Sequence, residues 1–310
     1  MPSCKEPPVS TGPQRYPGAS TAYWYQNRFG GDLQEVNVVV LHTTEGTNLP
    51  SYDGGASAPN LTLAPDFKTK RLKAYQHFDF DRSSRALVNL RGGVETNTCN
   101  VTQVELVGTC DPATHSKWRK AGYAYIYWPE APAWALQGVA DLLAWAHKNH
   151  GVPLTGPKTW KAYPASYGSG NGVRMSFAQW NSFKGVCGHQ HVSENLHGDP
   201  GALDFARILE LAKASGTQPA HPTYEPFPGA SFFMKGSKPA LGKSSPVFTA
   251  MGKRLVAEGC GLYRVGPGPV LGQADVASYE KFQRKLGFTG SDAKWPPGPT
   301  SWAKLKVPNV

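Results

Sequence analysis

No run of roughly eighteen apolar residues occurs in the 310-residue chain, so a membrane-spanning helix is not expected. Cysteine is scarce and odd in number. Cys4, Cys99, Cys110, Cys187 and Cys260 contain no C-x-x-C pair, which suits reduced, cytosolic synthesis better than a disulfide framework. Cys99 and Cys110 are still close enough in sequence to bridge. The N-terminus, Met1-Pro2-Ser3-Cys4-Lys5, lacks a basic start, an apolar run and a small-residue cleavage site, so no secretory signal is expected and action outside the cell would need another route of release. There is no tandem repeat or low-complexity tract. Nor is there a basic stripe with interleaved aromatics following a nucleic-acid motif, and no nucleic-acid partner is expected.

Negative charge is scarce at one end. From His221 onward 12 Lys and Arg face 5 Asp and Glu, so this last portion holds a surplus of +7 out of a formal net charge of +10. A basic C-terminal portion favours polyanionic partners such as anionic wall polymers, with a merely solvated basic face as the alternative. Domains of about 100–200 residues make two the natural count for this length.

The first thirty residues show no periodicity and read as an extended arm. Glu35 to Leu41 is a β-branched run suited to a buried central strand, and it ends at His42-Thr43-Thr44-Glu45-Gly46. A histidine at the C-terminal end of such a strand stands where α/β sheets present ligands. Residues 46–70 read as a long loop. Ala74 to Phe80 and Arg85 to Leu90, around the polar turn 81–84, read as a β-hairpin. In the strand Thr102 to Gly108, alternation places Val104 and Leu106 on one face and Gln103 and Glu105 on the other. A helix is expected from Pro132 to His150, stopped by Gly151. Residues 153–185 are irregular and rich in glycine and aromatics, and a second helix is expected over 202–214.

The densest chemistry lies in Cys187 to Gly201, where His189, His191, Glu194, His197 and Asp199 fall within fifteen residues. Catalytic zinc takes three protein ligands and leaves one position for water. One loop can supply two of them, and His42 is a candidate for the third. Single histidines beside strands are more often hydrogen-bonded structural residues. Asp199 has an alternative use as the N-cap of a helix beginning at Pro200. His191 reads as a support for the loop, and Cys187 as a small buried hydrophobe.

Taken together, Val40-Leu41-His42-Thr43-Thr44, the Val104-Glu105-Leu106 strand, and Gly188-His189 followed by His197 and Asp199-Pro200-Gly201 resemble the zinc-dependent N-acetylmuramoyl-L-alanine amidases of type 2, the fold shared with peptidoglycan recognition proteins. The likeness spans roughly residues 16–215 and is greatest to endolysins of phages infecting actinobacteria. It implies an α/β fold with a mixed central β-sheet flanked by helices and a zinc site at one edge. It further implies zinc bound by His42, His189 and Asp199, Glu105 as general base, and His197 where many relatives carry an oxyanion-steadying lysine. His77, Trp160 and Tyr167 are candidates to line the glycan-peptide groove; for His77 the alternative is packing on the hairpin, and for the two rings a self-packed surface loop.

Tyr279 to Gly287, then Gly290, Asp292, Pro297-Gly298-Pro299-Thr300 and Trp302, are similar to the small helical peptidoglycan-binding domains of wall hydrolases. The expected organisation is an arm over 1–30, a zinc amidase domain over 31–215, a linker over 216–228 and a small, mainly helical wall-binding domain over 229–310. The expected activity is hydrolysis of the muramoyl–L-alanine amide of bacterial peptidoglycan by a monomeric phage endolysin that does not insert into membranes. It would be made in the host cytoplasm and act at the wall after release. A non-catalytic recognition protein of the same fold is the rival.

Overall fold

The structure, a computed structural model, describes residues 12–90, 93–94, 97, 100–215 and 224–308. The chain divides into two compact units, Met1–Ala220 and His221–Val310. Among the described residues no helix is long and apolar enough to cross a membrane.

The first unit is built on a five-stranded mixed sheet in the order β3-β2-β4-β1-β5. Strand β1 (Val38–Thr43) runs parallel to β4 (Val101–Leu106) and to β5 (Gly185–Gly188), while β2 (Leu61–Asp66) runs parallel to β4. Strand β3 (Arg71–Gln76) closes an antiparallel hairpin with β2. All six residues of β1 are buried, as a central parallel strand covered on both faces requires. Val39, Leu41, Val104, Leu106, Leu61 and Leu63 face one way and pack against helices. Val38, Val40, Val101 and Cys187 face the other way, in a smaller cluster with Trp180 and Val192.

The expected hairpin is displaced. The strands that pair are Leu61–Asp66 and Arg71–Gln76, inside and just after the segment read as a loop, and residues 85–90 form no strand. Proline hid this strand without breaking it. Only Leu61 to Leu63 pair with β4, so Pro65 lies where β2 has run past that neighbour and needs no donor on that side. The turn is tied by Asp66 Oδ1, which accepts from the backbone N–H groups of Lys68 and Thr69.

Three longer helices accompany the sheet, two between β4 and β5 and one after β5. Helix α1 (Pro112–Lys120) has Asp111 as its N-cap and proline at its first position. Helix α2 (Ala133–His150) buries Leu136, Val139, Leu142, Leu143 and Ala146 on the sheet and ends at Gly151 in the left-handed region (φ 72°). Helix α3 (Phe205–Ser215) packs beside it in the same core. The described part of the N-terminal arm is docked on this layer. The Tyr16 ring meets Trp145 edge-on at 5.4 Å, Tyr16 N–H donates to Gln76, and Ser20 bridges to Tyr75.

The second unit is mainly helical: α4 (Pro246–Ala257), α5 (Gln273–Lys285) and α6 (Pro299–Leu305) surround Phe233, Phe248, Tyr279, Phe282 and Trp302. Gly298 caps α6, with Pro299 at its first position. Cys99, residues 1–11 of the arm and residues 216–223 of the expected linker lie outside the described residues, so the Cys99–Cys110 pairing does too.

Candidate metal centre

The site grows out of strand register. His42 on β1 is in register with Glu105 on β4, and Glu105 with Thr62 on β2. Registered neighbours point to the same face, so Thr62, Glu105 and His42 form one rung across three strands. Leu41 pairs with Gly188, the last residue of β5, so His189 continues the rung in the short 3₁₀ turn that follows.

His42, His189 and Asp199 are buried and bring one ligand atom each within 4.8 Å of one another. His42 Nδ1 lies 3.0 Å from His189 Nδ1. Asp199 Oδ1 lies 3.2 Å from His189 Nδ1, and its Oδ2 lies 3.7 Å from His42 Nδ1. Ligands about 2.0–2.1 Å from a tetrahedral zinc stand about 3.3 Å apart, so these edges match a tetrahedral shell.

Hydrogen bonding fixes the tautomer of His189. Asn195 Oδ1 accepts from Val88 N–H at 3.0 Å, which identifies it as the carbonyl end of that amide. His189 Nε2, 3.0 Å from the same oxygen, must therefore carry its proton and donate it. A neutral His189 consequently turns a bare Nδ1 lone pair toward Asp199 and His42, an arrangement that a shared cation or proton relieves. The residues present fit a divalent metal, and Asn195 would then be the outer partner that orients His189.

Asp199 Oδ2 also accepts from Thr43 N–H at 3.1 Å. Burial pushes the Asp199 carboxyl up, but the neighbouring His189, then His42 and the Thr43 amide, hold it well below the usual carboxylate range. Burial, reinforced by His189, keeps His42 uncharged, the state a metal ligand requires. Asp199 does not cap a helix: α3 starts only at Phe205, and the carboxylate is free to point into the site.

Glu105 carries an Oε2 that is buried without a hydrogen-bond partner among the described residues. Burial first, then the charges of Asp199 and Glu45, push its carboxyl well above the ordinary range. His197 is different in kind, with a side chain 69% exposed and Nδ1 3.8 Å from Asp199 Oδ1. Burial of part of its ring, then the nearby His189, lower its basicity.

Of the groove candidates, Tyr167 is exposed and its ring lies 6.4 Å from that of His197. Trp160 is partly buried beneath the loop, 4.7 Å from the His191 ring and 4.6 Å from Phe205. His77 is corrected outright, since it is fully buried and presents no surface to a groove. Its Nδ1 donates to Tyr23 O and its Nε2 accepts from Thr62 Oγ1, which leaves Thr62 to accept from Tyr52 Oη. His77 is thus the end of a polar chain behind the rung. His191 supports the loop, accepting from Gly188 N–H and donating to Thr159 O. Cys187 is buried on the strand among apolar side chains. Glu194 points away from the ligands and accepts from Val94 N–H.

Several polar residues that matter here carry no sequence signal beyond their identity. Glu45 Oε1 accepts from Thr43 Oγ1 at 2.6 Å and from Cys110 N–H at 2.9 Å, and Oε2 accepts from Thr109 Oγ1, which ties the end of β1 to the segment after β4. Asn195 and Arg174 stand in irregular segments that no periodicity marks.

No family model matches the sequence, and no curated protein matches it. Among solved structures, the chain is similar to a mutant of PlyL at 11% identity and a TM-score of 0.36, covering 63% of this chain and 98% of that one. It is similar to a selenomethionine derivative of AmpD at 13% identity and a TM-score of 0.36, covering 66% and 99%. It is similar also to the catalytic domain of XlyA at 10% identity and a TM-score of 0.30, covering 59% and 90%. At such identities and scores the chemistry of the site has to follow from its own geometry, and that geometry is a buried His-His-Asp triad able to hold a metal, with a glutamate one strand away whose Oε2 has no hydrogen-bond partner among the described residues.

Proposed function

We propose that this chain is a zinc-dependent peptidoglycan hydrolase that cleaves the amide between the lactyl group of N-acetylmuramic acid and L-alanine, acting as a phage endolysin. The observation that carries this reading is the rung itself: a His-His-Asp triad of tetrahedral dimensions beside a carboxylate whose Oε2 has no partner among the described residues. A recognition module has no need of both.

His42 Nδ1, His189 Nδ1 and Asp199 would hold the ion, which supplies when bound an acidified water and a Lewis acid for the amide carbonyl. Asn195 keeps the proton of His189 on Nε2. Glu105 accepts the proton of the attacking water and returns it to the leaving L-alanine nitrogen. His197, exposed at the edge of the site, donates a hydrogen bond to the oxyanion as it develops. Tyr167 beside it contacts substrate, and Trp160 holds the loop from below.

The second unit binds anionic wall polymers in the same proposal. Its Glu258 is paired with Arg254 and Lys285, and Glu280 with Arg284 and Lys294, while Lys235, Lys238 and Lys253 are exposed.

Digestion of purified peptidoglycan by the wild type and Glu105→Ala, with and without a chelator, tests the reading. New L-alanine amines without new reducing sugars, lost with Glu105 or with the metal, are expected. New reducing ends would mean a glycosidase, amide cleavage surviving thorough zinc removal would end the metal mechanism, and wall binding without any new ends would leave only a recognition protein.

A further inference from the structure

Arg174 stands in the irregular segment before β5, and no carboxylate pairs with it among the described residues. Its guanidinium instead spends all five donors on backbone carbonyls. Nε and Nη2 donate to Gly168 O at 3.3 and 3.2 Å, Nη1 to His189 O at 3.1 Å and Val192 O at 2.7 Å, and Nη2 also to His197 O at 3.1 Å. Two of those carbonyls belong to a metal-ligand candidate and to the candidate oxyanion donor.

Arg174 is itself held. Asn171 is buried, and its Oδ1 accepts from the N–H groups of Val173 and Arg174, both at 2.9 Å. Its Nδ2 donates to Ser166 O and Gln190 O at 2.7 and 2.8 Å. The segment 166–174 therefore grips the loop 189–197 through two polar side chains.

We propose that Arg174 is a positioning residue of the metal centre: by fixing the backbone of His189 and His197 in one frame, it sets ligand geometry and the placement of the donor. This rests on the reading that His42, His189 and Asp199 hold a metal. Two effects of the residue oppose each other, which makes the role testable. The Arg174 charge lies close enough to the site to be felt by Asp199 and His197. A cation near a dication repels it, so electrostatics alone predicts that removing the charge tightens metal binding. Positioning predicts weaker binding, in the 10–100-fold range typical of residues that orient metal ligands.

Zinc affinity of the full chain is measured by competition with a chromophoric chelator for wild type, Arg174→Lys and Arg174→Ala, alongside the visible absorption of the cobalt-loaded proteins. Both variants are expected to bind zinc 10–100-fold more weakly and to show an altered cobalt spectrum, since lysine keeps the charge but has three donors and no planar fork. Millimolar guanidinium is expected to restore affinity to Arg174→Ala and not to Arg174→Lys. If alanine prevents folding, the lysine variant decides. Unchanged or tighter zinc binding in the lysine variant, with only a lowered melting temperature, overturns the proposal; a wild type that binds no zinc overturns it together with the metal reading. A wild type that binds zinc, loses that affinity on substitution, and still releases no L-alanine amine supports the positioning role while ending the hydrolase reading.

Discussion

Gly188 joins β5 to His189, and replacing it with alanine adds one methyl group at a crowded point of the site. Its backbone is extended (φ −98°, ψ 165°), so alanine meets no conformational penalty and any effect is steric. The added Cβ would lie 2.7 Å from Pro200 Cδ, 2.7 Å from Trp160 Cζ3 and 3.3 Å from Asp199 O. Ordinary contact begins at 3.4 Å, so the ring of Pro200 or the indole must retreat by about 0.7 Å, and neither is the free end of a flexible chain. Pro200 is bonded to Asp199, whereas metal–ligand distances tolerate only about 0.2 Å. Gly188→Ala should therefore weaken zinc binding by about 10–100-fold and cost about 1–3 kcal/mol of stability by overpacking. Zinc titration against a competing chelator reads the first effect, and thermal unfolding with and without zinc reads the second. Gly170→Ala is the control, because nothing lies within 4 Å of its added Cβ. A Gly188→Ala protein that binds zinc like the wild type would show that the ligand segments are not packed through this residue.

Three other perturbations separate the roles assigned to the site. Glu105→Gln should retain zinc and lose about 10²–10⁴-fold in amide hydrolysis. Because burial raises the folded pKa of Glu105 above its unfolded value of about 4.3, the native state binds the extra proton and loses stability as pH rises from about 4 toward that folded pKa. Urea unfolding of metal-free protein should thus favour Glu105→Gln over wild type increasingly between pH 4 and 7, and a flat difference would contradict an uncompensated carboxylate. His197→Ala should lower turnover while leaving zinc affinity within about twofold, since the side chain sits outside the ligand triad; equal loss of both would make it a ligand or a structural residue. Asp111→Ala removes acceptors for Ala113 N–H and Thr114 N–H at the start of α1 and should cost about 1 kcal/mol in thermal unfolding without changing zinc affinity.

The parts of this molecule that can be read from the chain alone are those where local pattern and burial agree. The β-branched run ending in His42, the alternation that turns Glu105 away from Val104 and Leu106, and the apolar stripe of α2 each follow from periodicity that packing then uses. Strand β2 escaped because Pro65 and the surrounding glycines look like loop chemistry, while the two residues that seat it, Leu61 and Leu63, are too few to stand out. The burial of His77 has a related cause: with the hairpin formed by β2 and β3, its side chain enters the interior behind Thr62. Two uses for Asp199 remained open until the start of α3 at Phe205 removed the capping role. Arg174 and Asn171 reach backbone carbonyls 15 and 19 residues on, and Asn195 a ring nitrogen six residues back, and no helical or strand period in the chain announces such partners.

The rung also decides where the chain can grow or shrink. His42 and Glu105 sit on adjacent parallel strands, so the separation of their backbones is an inter-strand spacing of about 4.8 Å and not a product of loop length. Residues added between Thr47 and Asn60, ahead of β2, would leave that spacing untouched. One residue inserted within β4 would turn Glu105 to the opposite face, among Val104 and Leu106, and no adjustment of rotamers could bring it back. Loss of activity by insertion should accordingly be all-or-none inside the strands and gradual in the connections, so a scan of single-residue insertions would trace the rung without reference to which side chains do the chemistry.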